Sequence, residues 1–288
     1  MSNGLSIIVP VYNEVNNIQE TIDQLIQIRS HAEFPMELIF VNDGSSDGTK
    51  EILDNNNDII IIHNRQNLGY GATLKRGINS STFDIVAFTD ADGTYPNDRI
   101  PDLYQLMIGE GADMLVGERS GKDVHIPLIR RPAKWVLNRI ANYLSGQKIP
   151  DLNSGLRLTR RDLLLRFSNI LPNGFSLTTT ITLALMVNGF IVIYEPISYF
   201  KRGGKSKIRP IYDTLNFLQL IIRTIFYFNP LKFFLPLSFL FPALSTILFS
   251  YRALVDRAFL VSSVIFFVAG IQLFATGMLA DMINKRIQ

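Results

Sequence analysis

The sequence contains no cysteine and only 3 histidines in 288 residues. The missing cysteines exclude disulfide-stapled scaffolds, zinc–thiolate sites, iron–sulfur clusters and thiol nucleophiles. Charged residues make up only 18% of the chain and hydrophobic residues 47%, which excludes an intrinsically disordered protein. The net charge of +3 is too small to indicate a nucleic-acid partner, so we predict none. It leaves an anionic membrane surface or an anionic substrate open.

Two long runs near the end of the chain, 233–251 and 258–280, contain no charged residue. A bilayer core of about 30 Å needs roughly 20 apolar residues in a helix, and each run meets that length. Only the short segment 252–257 separates them. We therefore predict a transmembrane hairpin over 229–288, with helices at about 230–251 and 258–280 and a short tail. Two buried helices of a soluble core are the alternative.

Basic residues flank the predicted hairpin on both outer sides, and no apolar run resembling a signal peptide stands at the N-terminus. They are Lys201, Arg202, Lys205, Lys207, Arg209, Arg223 and Lys232 before it, and Lys285 and Arg286 after it. The positive-inside rule then predicts an integral protein of the plasma or inner membrane with both termini in the cytoplasm. Residues 1–209 are expected to form a cytosolic domain.

Between these parts, residues 210–228 carry a narrow polar stripe on an otherwise apolar helical pattern. Asp213, Asn216, Gln219 and Arg223 recur every three or four positions. This pattern predicts an amphipathic helix lying in the membrane interface. An ordinary amphipathic core helix is the alternative.

The first 120 residues alternate between short apolar runs and helical patterns. Strands are predicted at 5–12, 37–42, 58–63, 84–90 and 114–117, and helices at 16–30, 46–55, 71–80 and 99–109. Farther along, helices are predicted at 130–144 and 178–188 and a strand at 189–200. The alternation indicates an α/β fold with a parallel sheet covered on both faces. In such sheets ligands bind beyond the carboxyl ends of the strands, where the polar motifs of this chain stand.

The clearest chemical signal is Asp90-Ala91-Asp92 at the end of a predicted strand. Two carboxylates at this spacing can face one cleft if the strand breaks, and Gly93 allows that break. Their oxygens suit magnesium or manganese bound to a diphosphate. Alone, such a triplet is more often a solvated turn, so its interpretation depends on the surrounding motifs.

Three further motifs precede this triplet: PVYNE at 10–14, VNDGSSDGT at 41–49 and NLGYGA at 67–72. In order and spacing the four motifs resemble the family 2 glycosyltransferases, over about 1–207. The resemblance implies a GT-A fold, a Rossmann-like nucleotide-sugar domain. It also implies that Asp90 and Asp92 bind the nucleotide diphosphate through a divalent metal, Mg or Mn. The residues implied to hold the nucleobase and ribose are Pro10, Tyr12, Glu14 and Asp43, with Asn13 in the same donor-binding set. One departure is Asn42, where many members carry a second aspartate.

Two later segments, DLNSGLR at 151–157 and KRGGKSKI at 201–208, resemble the dolichyl- and polyprenyl-phosphate branch of this family, which includes dolichol-phosphate mannose synthase. The resemblance implies phosphate contact and loop closure by Arg119, Ser154, Arg157, Arg202, Lys205 and Ser206. Arg119, Arg157 and Arg202 then join Asp90 and Asp92 as the catalytic set. Arg130, Arg131 and Arg139 either add to this basic surface or form a solvated or headgroup-facing patch.

The segment 174–181, GFSLTTTI, contains no acidic residue. Members of the family that glycosylate a hydroxyl usually present a carboxylate base there, because an alcohol must lose its proton as it attacks. A phosphate monoester, with a second pKa of about 6, is already ionised near neutral pH. The missing acid is consistent with a phosphate acceptor, although Asp151 and Glu195 stay open as alternative bases.

Together these observations predict a membrane-attached, metal-dependent, inverting glycosyltransferase. It would move one sugar from a UDP- or GDP-sugar to a polyprenyl phosphate, undecaprenyl or dolichyl, at the cytoplasmic membrane face; homo-oligomerisation is left open. A processive polysaccharide synthase is a weak alternative, because the sole tryptophan, Trp135, does not stand in a Gln-x-x-Arg-Trp motif. Transfer to a saccharide or protein hydroxyl is another alternative. A catalytically silent partner of a flippase or polymerase is a third, against which the Asp90/Asp92 pair argues.

Overall fold

A computed structural model describes residues 4–119, 139, 142–143, 146, 148–200, 226, 230–255 and 260–287. The chain divides into two compact units, Met1–Phe217 and Leu218–Gln288. The helices predicted at 130–144 and 210–228 lie outside the described residues apart from isolated positions. Arg202, Lys205 and Ser206 lie outside them as well. The predicted boundaries at 209 and 228 stay predictions.

The first unit alternates strands and helices, as the apolar pattern predicts. Its strands are β1 (Leu5–Val11), β2 (Met36–Asn42), β3 (Ile60–His63), β4 (Ile85–Phe88), β5 (Met114–Arg119), β6 (Arg157–Arg160) and β7 (Val192–Ile197). Its helices are α1 (Ile18–His31), α2 (Thr49–Asp54), α3 (Tyr70–Ser80), α4 (Ile100–Gly109), α5 (Arg161–Arg166) and α6 (Leu177–Val187).

The seven strands form one sheet in the order β3-β2-β1-β4-β6-β5-β7. Six strands run in one direction, whereas β6 is antiparallel to both β4 and β5. The predicted α/β fold is confirmed, and the strands that the pattern predicts all run in the same direction. The sheet is mixed because it also contains β6, which the pattern does not predict. The sequence does not predict β6, because a segment of 4 residues with arginine at both ends lacks a strand-like apolar run. Since β6 runs backwards, the loop before it lies at the same sheet edge as the carboxyl ends of the other strands.

Alternating side chains of the strands feed two apolar cores, one on each face of the sheet. On one face Ile7 and Val9 of β1 pack with Ile22 of α1, and on the other Ile8 packs with Leu74 of α3. All five side chains are fully buried. A sheet covered on both faces is typical of buried parallel strands, and it holds the strand ends in fixed positions.

The second unit contains two long helices, α7 (Pro230–Val255) and α8 (Leu260–Ile287). Their candidate membrane spans are Pro230–Ser250 and Val261–Ile283, and only 11% and 17% of the most apolar stretch of each is buried. Helices of a buried soluble core would be covered instead, so the exposure favours the predicted hairpin. The two helices approach closely: a Cβ at Gly270 would lie 2.5 Å from the Pro242 ring.

Candidate active site

The site lies where the sheet opens between β1 and β4. Strand β1 pairs with β2 as far as Val11 opposite Asn42, but its pairing with β4 ends at Ile8 opposite Phe88. The chain leaves β1 toward β2 on one side and reaches β4 only later, on the other side. Such a reversal of strand order creates a crevice beyond the carboxyl ends, where ligands of α/β sheets bind.

The two aspartates of the predicted metal site follow β4 directly and are both half-buried. Asp90 Oδ1 accepts a hydrogen bond from the Tyr70 hydroxyl at 3.0 Å. Asp92 Oδ1 accepts from the backbone N–H of Thr94 at 3.2 Å and from its hydroxyl at 2.6 Å. Gly93 between them has a φ of 70°, a left-handed conformation that favours glycine and lets the chain turn. The turn therefore fixes both carboxylates at the crevice.

This donor set fits a cation that is shared with a phosphorylated ligand. Among the described residues no group of three or more His, Cys, Asp or Glu side chains gathers to hold a metal by itself. Magnesium is commonly bound through one or two carboxylates together with substrate phosphates and water. Asp90 and Asp92 match that requirement, whereas a dedicated protein cage would need more ligands.

The loop before β6 packs against the opposite side of Asp90. A Cβ at Gly155 would lie 2.8 Å from Asp90 Oδ2 and 3.1 Å from the Tyr95 ring and hydroxyl. The Gly155 N–H donates to the Tyr95 hydroxyl at 2.6 Å. Burial, followed by the charge of Asp90, raises the pKa of Tyr95, so the phenol stays protonated. Only glycine at position 155 permits this close approach of the loop to the carboxylate.

Arg119 reaches the same edge from the end of β5 and is bound to a carboxylate. Its Nε and Nη2 donate to Asp151 at 2.7 and 2.8 Å. Burial acts to raise the pKa of Asp151, but the hydrogen bonds and charge of Arg119 outweigh it and leave that pKa lowered. The guanidinium also lies 5.4 Å from the centre of the Tyr199 ring. Arg119 thus holds the 151–155 loop, and its predicted phosphate contact competes with Asp151.

Arg157 and Ser154 are both fully buried, with 0% of each exposed. The Arg157 guanidinium donates to the Ser154 carbonyl, to the Thr178 carbonyl at 2.7 Å and to the Thr182 hydroxyl at 2.9 Å. Burial lowers the pKa of Arg157 from its ordinary value. In this structure Arg157 ties the loop before β6 to α6. The contact of Arg157 and Ser154 with the acceptor phosphate stays a prediction.

Asp43, predicted to hold the nucleoside, is 4% exposed and accepts three internal hydrogen bonds. Its donors are Asn64 Nδ2 at 2.7 Å, the Leu68 N–H at 2.8 Å and the Gly69 N–H at 2.9 Å. The three donors use most of the hydrogen-bond accepting capacity of the carboxylate. Asp43 therefore anchors the turn that leads into α3.

The remaining donor-site residues lie at the end of β1 and on the segment that follows it. Tyr12 is 36% exposed, Glu14 accepts from Asn17 at 3.2 Å, and Pro10 is half-buried in the strand. Asn13 has a φ of 53° and its side-chain oxygen accepts from the Ser46 N–H at 2.9 Å. The backbone strain at Asn13 is thus offset by a tie to the loop after β2.

The segment before α6 rests on the start of α3. A Cβ at Gly71 would clash with the Pro172 carbonyl, and the Ala72 N–H donates to the Asn173 carbonyl at 3.0 Å. Phe175 is 69% exposed and stacks on Tyr70, with ring centres 5.3 Å apart. The contact brings the acid-free segment 174–181 beside the ring that bonds Asp90.

The two alternative bases have other partners. Asp151 is bound bidentately by Arg119, and a Glu195 oxygen lies 3.6 Å from Arg99. Sequence reasoning missed Tyr70, Tyr95 and Gly155. Tyr70 and Gly155 stand inside quoted motifs, whereas Tyr95 carries no sequence signal.

Comparison with known proteins agrees with this geometry. The sequence model described as Glycosyl transferase family 2 matches residues 6–167, and the one described as GtrB C-terminal hairpin matches 229–285. A dolichyl-phosphate hexose transferase from Haloferax volcanii is 29% identical over 72% of this chain and 87% of its own length. A bactoprenol glucosyl transferase of Shigella phage SfX is 26% identical over 98% of this chain and 94% of its own.

Solved structures share the fold of the first unit. A glucosyl-3-phosphoglycerate synthase from Mycobacterium tuberculosis, crystallised with Mn²⁺, uridine diphosphate and phosphoglyceric acid, matches with a TM-score of 0.58 at 20% identity. The match covers 77% of each chain. Its complex with Mg²⁺ and uridine diphosphate matches with a TM-score of 0.59, also at 20% identity, over 77% of this chain and 79% of that one. The predicted GT-A type of fold is confirmed.

Proposed function

Because this chain belongs to glycosyl transferase family 2 and is a glycosyltransferase, we propose that it transfers one sugar from a UDP- or GDP-sugar to a polyprenyl phosphate. The transfer inverts the anomeric carbon, depends on a divalent cation and takes place at the cytoplasmic face of a membrane. The observation that best supports this proposal is the pair Asp90 and Asp92 at the crevice. The segment 174–181 beside it lacks a carboxylate. Relatives named for transfer to dolichyl phosphate and to bactoprenol support this acceptor class.

The donor is proposed to lie in the crevice between β1 and β4. The half-exposed Tyr12 ring offers a face on which a nucleobase can stack, with Pro10, Asn13 and Glu14 beside it. Asp43 holds the turn into α3 and keeps little accepting capacity for the nucleoside. Asp90 and Asp92 would hold the divalent cation that accompanies the diphosphate. When bound, such a cation neutralises the charge that develops on the leaving diphosphate.

The acceptor is proposed to be an ionised phosphate because the segment 174–181, which lies beside the crevice, contains no acidic residue. Among the described residues, Asp151 is engaged by Arg119 and its pKa is lowered, so it is a poor proton acceptor. An alcohol would need such a base as it attacks, whereas a phosphate monoester brings its own negative charge. The acid-free segment thus favours phosphate over hydroxyl.

Contacts to the acceptor phosphate are proposed for Arg202, Lys205 and Ser206, on the strength of the motif resemblance alone. Arg119 and Arg157 instead position the loop before β6, with Arg119 on Asp151 and Arg157 on α6. This division separates residues that bind the acceptor from residues that shape the crevice.

The test compares a short-chain polyprenyl phosphate with the matching polyprenyl alcohol, using purified full-length protein, a panel of nucleotide-sugars and mass detection of the lipid product. The phosphate should be glycosylated and the alcohol inert. Turnover of the alcohol at a comparable rate would mean that a base exists and that the acceptor assignment is wrong. If the protein hydrolyses any nucleotide-sugar or transfers its sugar, the alternative of a catalytically silent partner protein is excluded.

A matched pair of variants tests the phosphate contact. Arg202→Ala should lower transfer to polyprenyl phosphate sharply, and Arg202→Lys should restore only part of it, because arginine clamps two phosphate oxygens whereas lysine acts as a point charge. Nucleotide binding without acceptor should change much less. Equal activity of Arg202→Ala and the unchanged protein would remove this residue from the acceptor site.

A further inference from the structure

The membrane hairpin presents a polar side chain to lipid at the middle of its second span. Gln272 stands at the midpoint of Val261–Ile283 and is exposed. At a rise of 1.5 Å per residue each end of the span is about 16 Å away, which is too far for the glutamine amide to reach water. Its backbone carbonyl accepts from the Thr276 hydroxyl at 2.8 Å. Within the described part of the chain, no hydrogen bond reaches its side-chain amide.

The packing of the hairpin keeps this side chain away from α7. Helix α8 turns Ser263, Gly270 and Gly277 toward α7: Gly270 lies against Pro242, and the Ser263 carbonyl accepts from the Ser245 hydroxyl at 2.7 Å. These three residues repeat every seven positions and so share one helix face. Gln272 follows Gly270 by two positions, about 200° around the helix, and therefore lies on the opposite face.

An amide in hydrocarbon without a partner is unfavourable, because lipid tails offer neither a donor nor an acceptor. Polar side chains in membrane spans accordingly hydrogen-bond across helix interfaces. The same face carries the small residues Ala275 and Thr276, which allow a second helix to approach closely. It also carries Val268 and Leu279, both exposed.

We propose that α8 binds α8 of a second copy of this chain through this face, with the two Gln272 amides hydrogen-bonded to each other. An amide is both donor and acceptor, so two copies related by a twofold axis satisfy each other with the same residue. Thr276 on the same face also has a donor and acceptor hydroxyl, but that hydroxyl already donates to the Gln272 backbone carbonyl. The inference needs the hairpin to lie in a membrane but does not depend on which acceptor the enzyme uses.

The absence of cysteine makes the interface directly testable by disulfide cross-linking. Leu279→Cys places a single thiol on the Gln272 face, and Met278→Cys places one at nearly the same depth, about 100° around the helix. Leu279 and Met278 are 60% and 42% exposed, so both thiols are accessible in one copy. Full-length protein in liposomes is oxidised, and the dimer is quantified by mass. Leu279→Cys should form at least ~5-fold more covalent dimer than Met278→Cys.

The role of the amide is tested in the Leu279→Cys background. Gln272→Leu should lower dimer formation several-fold while sugar transfer per chain stays unchanged, and Gln272→Asn should retain part of the cross-linking. Equal cross-linking of Leu279→Cys and Met278→Cys overturns the proposal. Cross-linking that is unaffected by Gln272→Leu also overturns the proposal. A cross-linked product from cell membranes whose mass corresponds to this chain joined to a different protein overturns it as well.

Discussion

The Tyr70 hydroxyl donates a hydrogen bond to Asp90 Oδ1 at 3.0 Å. Burial, and after it the charge of Asp90, raises the pKa of Tyr70 well above its ordinary value, so the phenol remains a donor. Tyr70 begins α3, and the turn before it is fixed by the bond from the Gly69 N–H to Asp43. One ring therefore links the crevice carboxylate to the turn held by Asp43 and, through its stacking, to Phe175.

Tyr70→Phe removes this hydrogen bond and keeps the ring. Partners that orient a metal ligand typically contribute 10–100-fold to metal affinity or activity, so we expect a loss of about 10-fold or more in turnover. The Mg²⁺ or Mn²⁺ concentration for half-maximal nucleotide binding, measured by calorimetry without acceptor, should rise in parallel. Tyr104→Phe, in α4 away from the crevice, is the matched control. Unchanged metal dependence in Tyr70→Phe would show that the bond does not position Asp90.

Gly155→Ala tests the close approach of the loop before β6 to the same carboxylate. The added Cβ would lie 2.8 Å from Asp90 Oδ2, so either the loop or the aspartate must move. Displacement of a catalytic group by about 1 Å can cost on the order of 100-fold in rate. Gly109→Ala, where a Cβ meets nothing within 4 Å, should be silent in both turnover and thermal stability. A fully active Gly155→Ala would argue that this contact does not shape the crevice.

The sequence predicts the residues whose position follows from a strand end, and it fails where the position depends on packing between distant segments. Asp90, Asp92 and Tyr12 follow apolar strands, so the edge they share could be predicted before the sheet was known. Tyr95 meets Gly155 only because β6 inserts between β4 and β5, and β6 has no strand-like pattern. A motif also cannot say whether an arginine is buried.

Arg157 illustrates that last point. Its place in the motif predicted a phosphate ligand, but the carbonyls of Ser154 and Thr178 and the hydroxyl of Thr182 satisfy its guanidinium inside the protein. These acceptors come from a loop and from α6, and their convergence is a property of the tertiary structure. The apolar runs at the end of the chain, in contrast, predict both long helices from composition alone.

Asp151→Asn tests the ion pair with Arg119 through its pH dependence. The folded pKa of Asp151 is lowered below its unfolded value of about 3.9. The pair therefore stabilises the fold above that pH, and its contribution is lost as the pH falls through the folded pKa. At pH 7 the variant should lose up to about 3 kcal/mol, because the half-buried Arg119 is left without its partner.

The measurement is the thermal unfolding midpoint in detergent from about pH 2 to 7, which includes the acid range where the contribution of the pair is lost. Asp151→Asn should show a lower midpoint at neutral pH and a shallower decline toward acid. Asp162→Asn removes an exposed pair with Arg160 and should change stability by less than about 1 kcal/mol. If the unfolding midpoints of Asp151→Asn and the unchanged protein fell in parallel with pH, the lowered pKa of Asp151 would be contradicted.

Asp92→Asn preserves size but removes one negative charge from the proposed cation site. Activity should fall at least ~100-fold, equivalent to about 2.7 kcal/mol of barrier. Calorimetry should show that Mg²⁺ no longer strengthens nucleotide binding to this variant. Asp98→Asn, an exposed position nearby, is the control. Full activity of Asp92→Asn in the presence of a chelator would sink the proposed metal dependence.

Reporter fusions test the proposed orientation of the hairpin. Lys232 precedes the first span, and Lys285 and Arg286 follow the second, so the positive-inside rule places both outer ends in the cytoplasm and the segment 252–257 outside. A phosphatase that is active only outside should be inactive when fused after residue 288 and active when inserted within 252–257. A cytoplasmic reporter should give the opposite pattern at the same two positions.

The catalytic unit gives this orientation a functional consequence. Nucleotide-sugars are cytosolic donors in the proposed reaction, so Asp90 and Asp92 must lie on the same side as the outer ends of the hairpin. A fusion after residue 209 should accordingly match the fusion after residue 288 with both reporters. If the fusion after residue 288 reported the outside while the one after 209 reported the cytoplasm, the two helices could not form a hairpin. The chain would then cross the membrane an odd number of times, and the proposed shared orientation would fail.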